Sequence, residues 1–252
     1  MIQCSFKRYE KKYLLTPAQY EAVRAGMDAY MTPDKYSNYA ICNVYYDTDD
    51  YQLIRTSLEK PVYKEKLRAR SYGPARDDST VFVELKKKYD GVVYKRRVVM
   101  DAADAAAYLD GREPGGESQI HREIDWFMQT YRPTPKVFIA YDREAYTGRG
   151  APDLRVTFDT NLRGRRERVD LRAGDDGQPI LKEHQILMEI KIPGAAPLWL
   201  ARLLSENNIF SASFSKYGAY YKQYIVRPSV TYRPAPALEL APEFQKGVLC
   251  VA

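Results

Sequence analysis

Histidine is nearly missing from this chain. There are two in 252 residues, His121 and His184, in separate segments. That scarcity argues against His-based metal sites and against Ser-His-Asp machinery. Cysteine is also sparse: Cys4, Cys42 and Cys250 are an odd, scattered set that builds neither a disulfide framework nor a zinc site and suits a reducing compartment. No apolar run approaches the roughly 18 residues of a spanning helix. The first fifteen residues carry Lys7, Arg8, Glu10, Lys11 and Lys12, which does not read as a signal peptide. Neither Gly-x-x-x-x-Gly-Lys-[Ser/Thr] nor Gly-x-Gly-x-x-Gly occurs. Any phosphate would therefore be held by side chains and not by a backbone cradle.

What is present is a globular composition, 45% hydrophobic and 29% charged, with 39 Lys+Arg against 33 Asp+Glu. That length can bury one large core or two small ones. The net charge of +6 is concentrated: Lys60 to Arg97 holds 12 Lys/Arg and 5 Asp/Glu, or +7, so the remainder sums to −1. A solvated basic face would give such a stretch, and so would a site for phosphate, nucleic acid or an acidic surface.

Strand-like runs are expected at 5–14, 41–48, 62–72, 80–89, 92–100, 135–147, 153–162 and 184–192. Asp90-Gly91 is a hairpin signal between two of them. Thr16-Pro17 with Gln19 predicts a capped helix to about Tyr30. Further helices are expected at 50–59, 102–109, 118–131, 197–207 and 215–225. Residues 32–40 read as loop. The chain divides into one domain over 1–227 and an extended Pro/Ala-rich tail over 228–252.

Side chains alternate faces along a strand. Lys66, Arg68 and Arg70 share one face. So do Glu84, Lys86 and Lys88, opposite Val81, Val83 and Leu85. Lys95 and Arg97 oppose Val92, Tyr94 and Val98, and Arg143 lies with Tyr141. Arg155, Thr157 and Asp159 oppose Leu154, Val156 and Phe158. Glu189 and Lys191 oppose Met188, Ile190 and Ile192, and the first strand places Arg8, Glu10 and Lys12 together. Any one strand of this kind is a half-buried strand with a wet outer face. Taken together, nearly every polar face offers Lys or Arg with an occasional carboxylate. If they converge, about a dozen cations meet about four carboxylates, a set that cannot be buried dry. An antiparallel barrel with a wet, charged lumen and helices over its apolar outside accommodates it.

The segments Tyr45-Tyr46-Asp47-Thr48, Leu67-Arg68-Ala69-Arg70-Ser71-Tyr72-Gly73 and Val83-Glu84-Leu85-Lys86 resemble the triphosphate tunnel (CYTH) superfamily, and within it the VTC, or polyphosphate polymerase, branch. Arg8 to Tyr13, Tyr94 to Arg97, Tyr141-Asp142-Arg143, Met188 to Lys191 and Phe214 to Tyr217 extend the resemblance over about 5–225. It implies an α+β fold: an eight-stranded antiparallel β-barrel, the triphosphate tunnel, with helices packed outside. By motif, the phosphate-binding cations would be Lys12, Arg68, Arg70, Lys86, Lys95, Arg97, Arg143, Arg155, Lys191 and Lys216, and Lys66 and Lys88 join them by parity. Arg68, Arg70, Lys86, Glu189 and Lys216 would be catalytic. Glu189 would hold Mn or Mg, with Glu10 and Glu84 as further candidate ligands. Where many hydrolases of the superfamily open with Glu-x-Glu-x-Lys, this chain has Arg8-x-Glu10-x-Lys12, which suits the polymerase branch better than a two-metal hydrolase.

The resemblance thus implies a metal-dependent ATP:polyphosphate phosphotransferase, with ATP and inorganic polyphosphate as partners. It would be cytoplasmic, with a membrane protein partner as in related assemblies. The other readings are a tunnel triphosphatase using Glu10, Glu84 and Glu189, and a non-catalytic polyphosphate or nucleotide sensor. A nucleic-acid binder is disfavoured by the carboxylates among the cations. The 22 Tyr read mainly as packing with a polar handle. Tyr45 to Thr48 read as a structural strand end, Trp126 and Trp199 as core, and Cys42 as a small buried hydrophobe. His184 reads as a surface residue, and Lys87 and Arg96 as solvated.

Overall fold

A computed structural model describes residues 9–34, 38–90 and 92–226. Arg8 and the expected tail over 228–252 lie outside them. Eight strands form one continuous antiparallel path. They are β1 (Tyr9–Leu15), β3 (Tyr39–Asp47), β4 (Tyr63–Tyr72), β5 (Thr80–Tyr89), β6 (Val92–Asp101), β7 (Thr134–Gly148), β8 (Ala151–Arg165) and β10 (Ile186–Ile192), ordered β1-β10-β8-β7-β3-β4-β5-β6. Two short strands lie off the path. β2 (Met31–Pro33) pairs with β7 inside the segment expected to be loop, and β9 (Gln178–Pro179) pairs with β8. Tyr89 pairs with Val92 across the expected hairpin turn, with Asp90 at φ 42°, in the left-handed region such turns use.

The helices follow their signals. In α1 (Pro17–Met27) Thr16 and Gln19 close the capping box reciprocally. α2 (Gln52–Leu58), α3 (Ala102–Leu109), α4 (Gln119–Tyr131) and α5 (Leu198–Glu206) lie close to their expected spans. The last helix divides into α6 (Lys216–Tyr220) and a π-helical turn, Tyr221–Val226.

Three apolar clusters set the architecture. The outward faces of β3 to β6, with Val83, Leu85 and Leu67, pack under Ala105 and Tyr108 of α3 and Ile124 and Phe127 of α4. The outward faces of β1, β8 and β10 pack on Val23 and Met27 of α1 and Leu200 and Leu204 of α5. The third cluster lies inside the curved sheet. Ile41, Tyr45, Ile139, Tyr141 and Leu187 share the inward parity and meet Ile54 of α2 and Tyr217, Tyr220 and Tyr221 around α6. A Cβ at Gly218 would lie 2.9 Å from Leu58, so glycine there lets α6 approach α2 closely.

Three sequence expectations are corrected. The barrel is not closed by hydrogen bonds: among the described residues no ladder joins β1 to β6. An eight-stranded barrel closed all round has an interior just large enough for packed side chains, whereas this one also takes in long cationic side chains and α6. Side chains span the seam instead, with Lys86 Nζ of β5 3.7 Å from Glu10 Oε2 of β1. Trp126 is not core: it is 55% exposed, because Ile124 and Phe127 occupy the buried stripe of α4. Lys87 and Arg96 do point outward, yet they are not simply solvated. Lys87 bonds Glu123 of α4 at 3.1 Å, and Arg96 lies 3.4 Å from the same carboxylate.

Candidate functional site

The register places the inward residues on one concave surface. Arg68 faces Tyr45 and Glu84 across its two ladders, Arg70 faces Asn43 and Phe82, and Glu84 faces Arg97. On the other side of the sheet Arg143 faces Asp159, Glu189 faces Thr157 and Lys12, and Lys191 faces Arg155 and Glu10. Lys66, Lys86, Lys88 and Lys95 share this face by parity. Lys216 reaches it from α6, whose N-cap Ser215 accepts from Gly218 N–H.

Two ion clusters organise the interior. In the first, Glu84, 2% exposed, accepts from Arg68 Nε at 2.8 Å and Nη2 at 2.6 Å and from Lys95 Nζ, with Arg70 Nε 3.9 Å away. Arg68 Nη1 also donates to the Tyr45 hydroxyl at 3.3 Å. Arg70 donates to Asn43 Oδ1 at 2.9 Å and to the Tyr141 hydroxyl at 3.3 Å. In the second, Asp159 is fully buried and receives a fork from Arg143, Nε to Oδ1 at 2.6 Å and Nη2 to Oδ2 at 2.7 Å. Lys216 Nζ bridges Asp159 Oδ2 at 2.6 Å and Glu189 Oε1 at 2.9 Å. Glu10 sits between them, 2.8 Å from Lys12 Nζ. Arg155 is paired at the rim with Asp34, and Lys66 donates to Ser215 Oγ at 3.1 Å.

Electrostatics follows from cations outnumbering carboxylates in a confined space. Burial opposes ionisation of Glu84, but Arg68, Arg70 and Lys95 overcome it and hold the carboxyl well below its usual range. Burial likewise opposes ionisation of Glu189, and Lys216, Lys12 and Arg143 overcome it. Glu10 is brought down to about 2: Lys86 and Lys12 prevail over burial and over the like charge of Glu189. For Lys66, Lys95 and Lys191 burial prevails and the shift is downward. Burial, then Lys86, Lys64 and Lys12, lower Lys66 to about 7. Burial lowers Lys95 to about 8 despite Glu84, and Lys191 to about 8 despite Glu189. Lys216, held by two carboxylates, is raised against its own burial. The buried Tyr141 hydroxyl is lowered, because Arg70, Arg143 and Lys216 outweigh its desolvation.

The geometry therefore brings together Lys12, Lys66, Arg68, Arg70, Lys86, Lys88, Lys95, Arg97, Arg143, Arg155, Lys191 and Lys216 on the inner face. Four inner carboxylates accompany them: Glu10, Glu84, Asp159 and Glu189. Sequence reading passed over Asp159, Asn43, Tyr45 and Tyr141 as site residues. Asp159 shares inward parity with Arg155, and Tyr141 with Arg143, but β3 carries no Lys or Arg that would mark Asn43 and Tyr45. Asp47 is structural: it accepts from Leu53 N–H at 2.9 Å, Ile54 N–H at 3.0 Å and the Tyr217 hydroxyl at 2.9 Å, which fixes α2 against α6.

The VTC domain family model matches residues 7–225. The chain belongs to the VTC domain family. It is 28% identical over 160 residues to the vacuolar transporter chaperone complex subunit 4 of Schizosaccharomyces pombe; the match covers 54% of this chain and 22% of that protein. The VTC chain thus spans far less than the length of that curated relative. Its fold is shared with a Bacillus halodurans protein proposed to be an adenylate cyclase, with a TM-score of 0.54 and 12% identity over 84% of this chain and 96% of that one. A Vibrio parahaemolyticus protein proposed to have the same activity has a TM-score of 0.49 and 12% identity over 85% of this chain and 98% of that one. No helix among the described residues is long and apolar enough to cross a membrane.

No cluster of three or more His, Cys, Asp or Glu side chains able to hold an ion occurs among the described residues. Both Glu84 oxygens are engaged by cations. Beside Glu189, however, the buried Thr157 hydroxyl on the paired strand has no hydrogen-bond partner. Glu10 lies on the strand flanking Glu189 on its other side. One or two carboxylates and a hydroxyl fit a hard ion that takes its remaining ligands from water and substrate phosphates.

Proposed function

We propose that this VTC-domain protein is a metal-dependent polyphosphate polymerase, which transfers the terminal phosphoryl group of ATP to a growing inorganic polyphosphate chain in its tunnel. The observation that carries the reading is the inner face itself. Twelve cations and four carboxylates line the inner face, and the carboxylates are already shared among the cations. The excess positive charge has the shape of a polyanion site.

In the transfer, the bond from the γ-phosphorus to the β–γ bridging oxygen breaks and a bond to a terminal oxygen of the acceptor chain forms. ADP departs. The attacking oxygen is anionic, so no side chain has to remove a proton from it, consistent with the two remote histidines. Positioning and charge neutralisation supply the catalysis. Arg68 and Arg70 present forks to phosphate oxygens, while Lys12, Lys86 and Lys95 add point charge. Arg143 and Lys216, oriented by Asp159, focus charge next to Glu189. Glu189, with Glu10 and Thr157 alongside, would hold Mn or Mg, which would supply further neutralisation of phosphate charge. By analogy with the vacuolar transporter chaperone subunit, we place the protein in the cytoplasm, docked through a membrane protein partner.

The test is incubation with ATP and Mn, with and without chelator, and a polyphosphate-stained gel. A chelator-sensitive ladder that is lost in Glu189→Lys and Arg68→Ala is expected. Near-normal synthesis in either variant would overturn the assignment. Orthophosphate without a ladder would make the protein a tunnel triphosphatase, and tight polyphosphate binding without product would make it a sensor.

A further inference from the structure

The inner face changes chemistry at one end. Tyr39 begins β3, Tyr72 ends β4 and Phe82 lies near the start of β5, on three adjacent strands. All three share the inward parity: Tyr39 with Asn43, Tyr72 with Arg70, and Phe82 with Glu84. Their rings form an edge-to-face row, Tyr39 to Tyr72 at 5.1 Å and 82°, then Tyr72 to Phe82 at 5.7 Å and 83°. The Arg97 guanidinium lies 5.0 Å from the Phe82 ring centre, and Val99, paired with Phe82, continues the apolar surface. The row is open to water: Tyr72 is 54% and Val99 57% exposed. Packing between Tyr39 and Tyr72 accounts for the inner part of the row. It does not account for a large ring and an aliphatic side chain left exposed beside a cluster of cations.

The spacing supplies a reason. Tyr72 follows Arg70 by two residues, and Phe82 precedes Glu84 by two, a step of about 7 Å along a strand. An aromatic surface thus abuts a phosphate-binding surface at the distance that separates a base from its phosphates. Aromatic rings on strands beside cations are the usual platform for unpaired bases.

We propose that this row is a nucleoside subsite, in which the base of a nucleoside triphosphate stacks on the exposed Tyr72 ring with Phe82 walling its edge, and Arg97 meets the first phosphate. The remaining phosphates run inward to Arg68, Lys95 and the Glu189–Lys216 pair. The substrate therefore enters by this mouth, triphosphate foremost. The inference takes its substrate class from the polymerase reading. Stacking is tolerant of base identity, so adenine and guanine nucleotides bind within a few-fold of each other.

The test is calorimetry on the full chain with Mn, using a non-hydrolysable ATP analogue, its guanosine counterpart and inorganic tripolyphosphate, so that no transfer is needed. Tyr72→Ala is expected to weaken both nucleotides about tenfold or more, to leave tripolyphosphate unchanged, and to be rescued by Tyr72→Phe. Phe82→Leu, which keeps the apolar volume, is expected to show the same selective loss. If wild type binds tripolyphosphate as tightly as the nucleotides and the variants change neither, the subsite is refuted while the tunnel remains a phosphate site. Equal loss for all three ligands would also refute it, since Tyr72 would then be supporting Arg70. Failure of the polymerase reading is seen separately, as no ladder from ATP in a protein that still binds nucleotides selectively.

Discussion

Replacing Glu84 with Gln keeps the side-chain volume and removes only the charge. In the wild type that carboxylate is 2% exposed and binds Arg68 through two nitrogens at 2.8 and 2.6 Å, with Lys95 and Arg70 completing its surroundings. Breaking a buried pair by removing one partner costs about 3–5 kcal/mol. The Lys95 side chain is 43% exposed, so its share is screened and the lower figure applies, about 3 kcal/mol. For a chain of this size that is a fall in melting temperature of about 6–12 °C. The sign with pH follows from the lowered folded-state value. The Glu84 contribution is complete above its ordinary 4.5 and is lost as pH falls through the folded value, so variant and wild type converge in acid. Tripolyphosphate supplies the missing negative charge. At about 100 times its dissociation constant a ligand adds about 2.7 kcal/mol, which nearly restores the variant. Moreover, cations no longer shared with Glu84 bind phosphate more tightly. Melting curves at pH 7 with and without tripolyphosphate decide the matter. A variant that melts within about 2 °C of wild type, with unchanged tripolyphosphate affinity, would show that the inner face is not held together by compensating charge.

Phosphate binding should take up protons near pH 7.5, because an anion raises Lys66, Lys95 and Lys191 from about 7, 8 and 8; calorimetry in buffers of different ionisation enthalpy measures the uptake, and its absence would refute the lowered lysines. Lys66 is depressed in the folded state, so its penalty is fully present below about pH 7 and is relieved as pH rises towards its ordinary 10.5; Lys66→Met should be more stable than wild type at pH 6, with the gap closing by pH 10 in denaturant titrations. Thr157→Val should fill the same space, leave the melting temperature within a few degrees and weaken Mn binding, read by manganese electron spin resonance; undiminished Mn affinity would remove Thr157 from the ion's surroundings. Thr16→Ala should lose both halves of the capping box and about 1 kcal/mol of stability without altering phosphate affinity.

The alternation of Lys66, Arg68 and Arg70 and of Glu84 and Lys86 was legible because strand parity is insensitive to where a strand begins or ends. That made most of the inner surface readable from residue types alone. Partnering was not readable. Asp159 looks like one more polar residue opposite Phe158 until Arg143 and Lys216 arrive from β7 and α6, far away in the chain. The open seam was likewise hidden, since closure depends on the space needed by the inner side chains and not on any local pattern. Trp126 misled because the apolar stripe of α4 is narrow: Ile124 and Phe127 fill it, and the indole falls just outside. Lys87 and Arg96 showed their parity but not Glu123, which a helix lays across them. Tyr141 was hidden by its commonness, one of 22 tyrosines, though its hydroxyl accepts from Arg70 and its ring lies against Arg143 and Lys216.

Lys216 comes from the last described helix, yet it neutralises Asp159 and Glu189 on strands completed many residues earlier. Without α6, Asp159 would keep Arg143, and Glu189 would keep Lys12 and Arg143, so the centre would carry one cation fewer. Docking of α6 thus adds positive charge to the inner face where its carboxylates are densest, so the helix that completes the third apolar cluster also sets the charge of the interior.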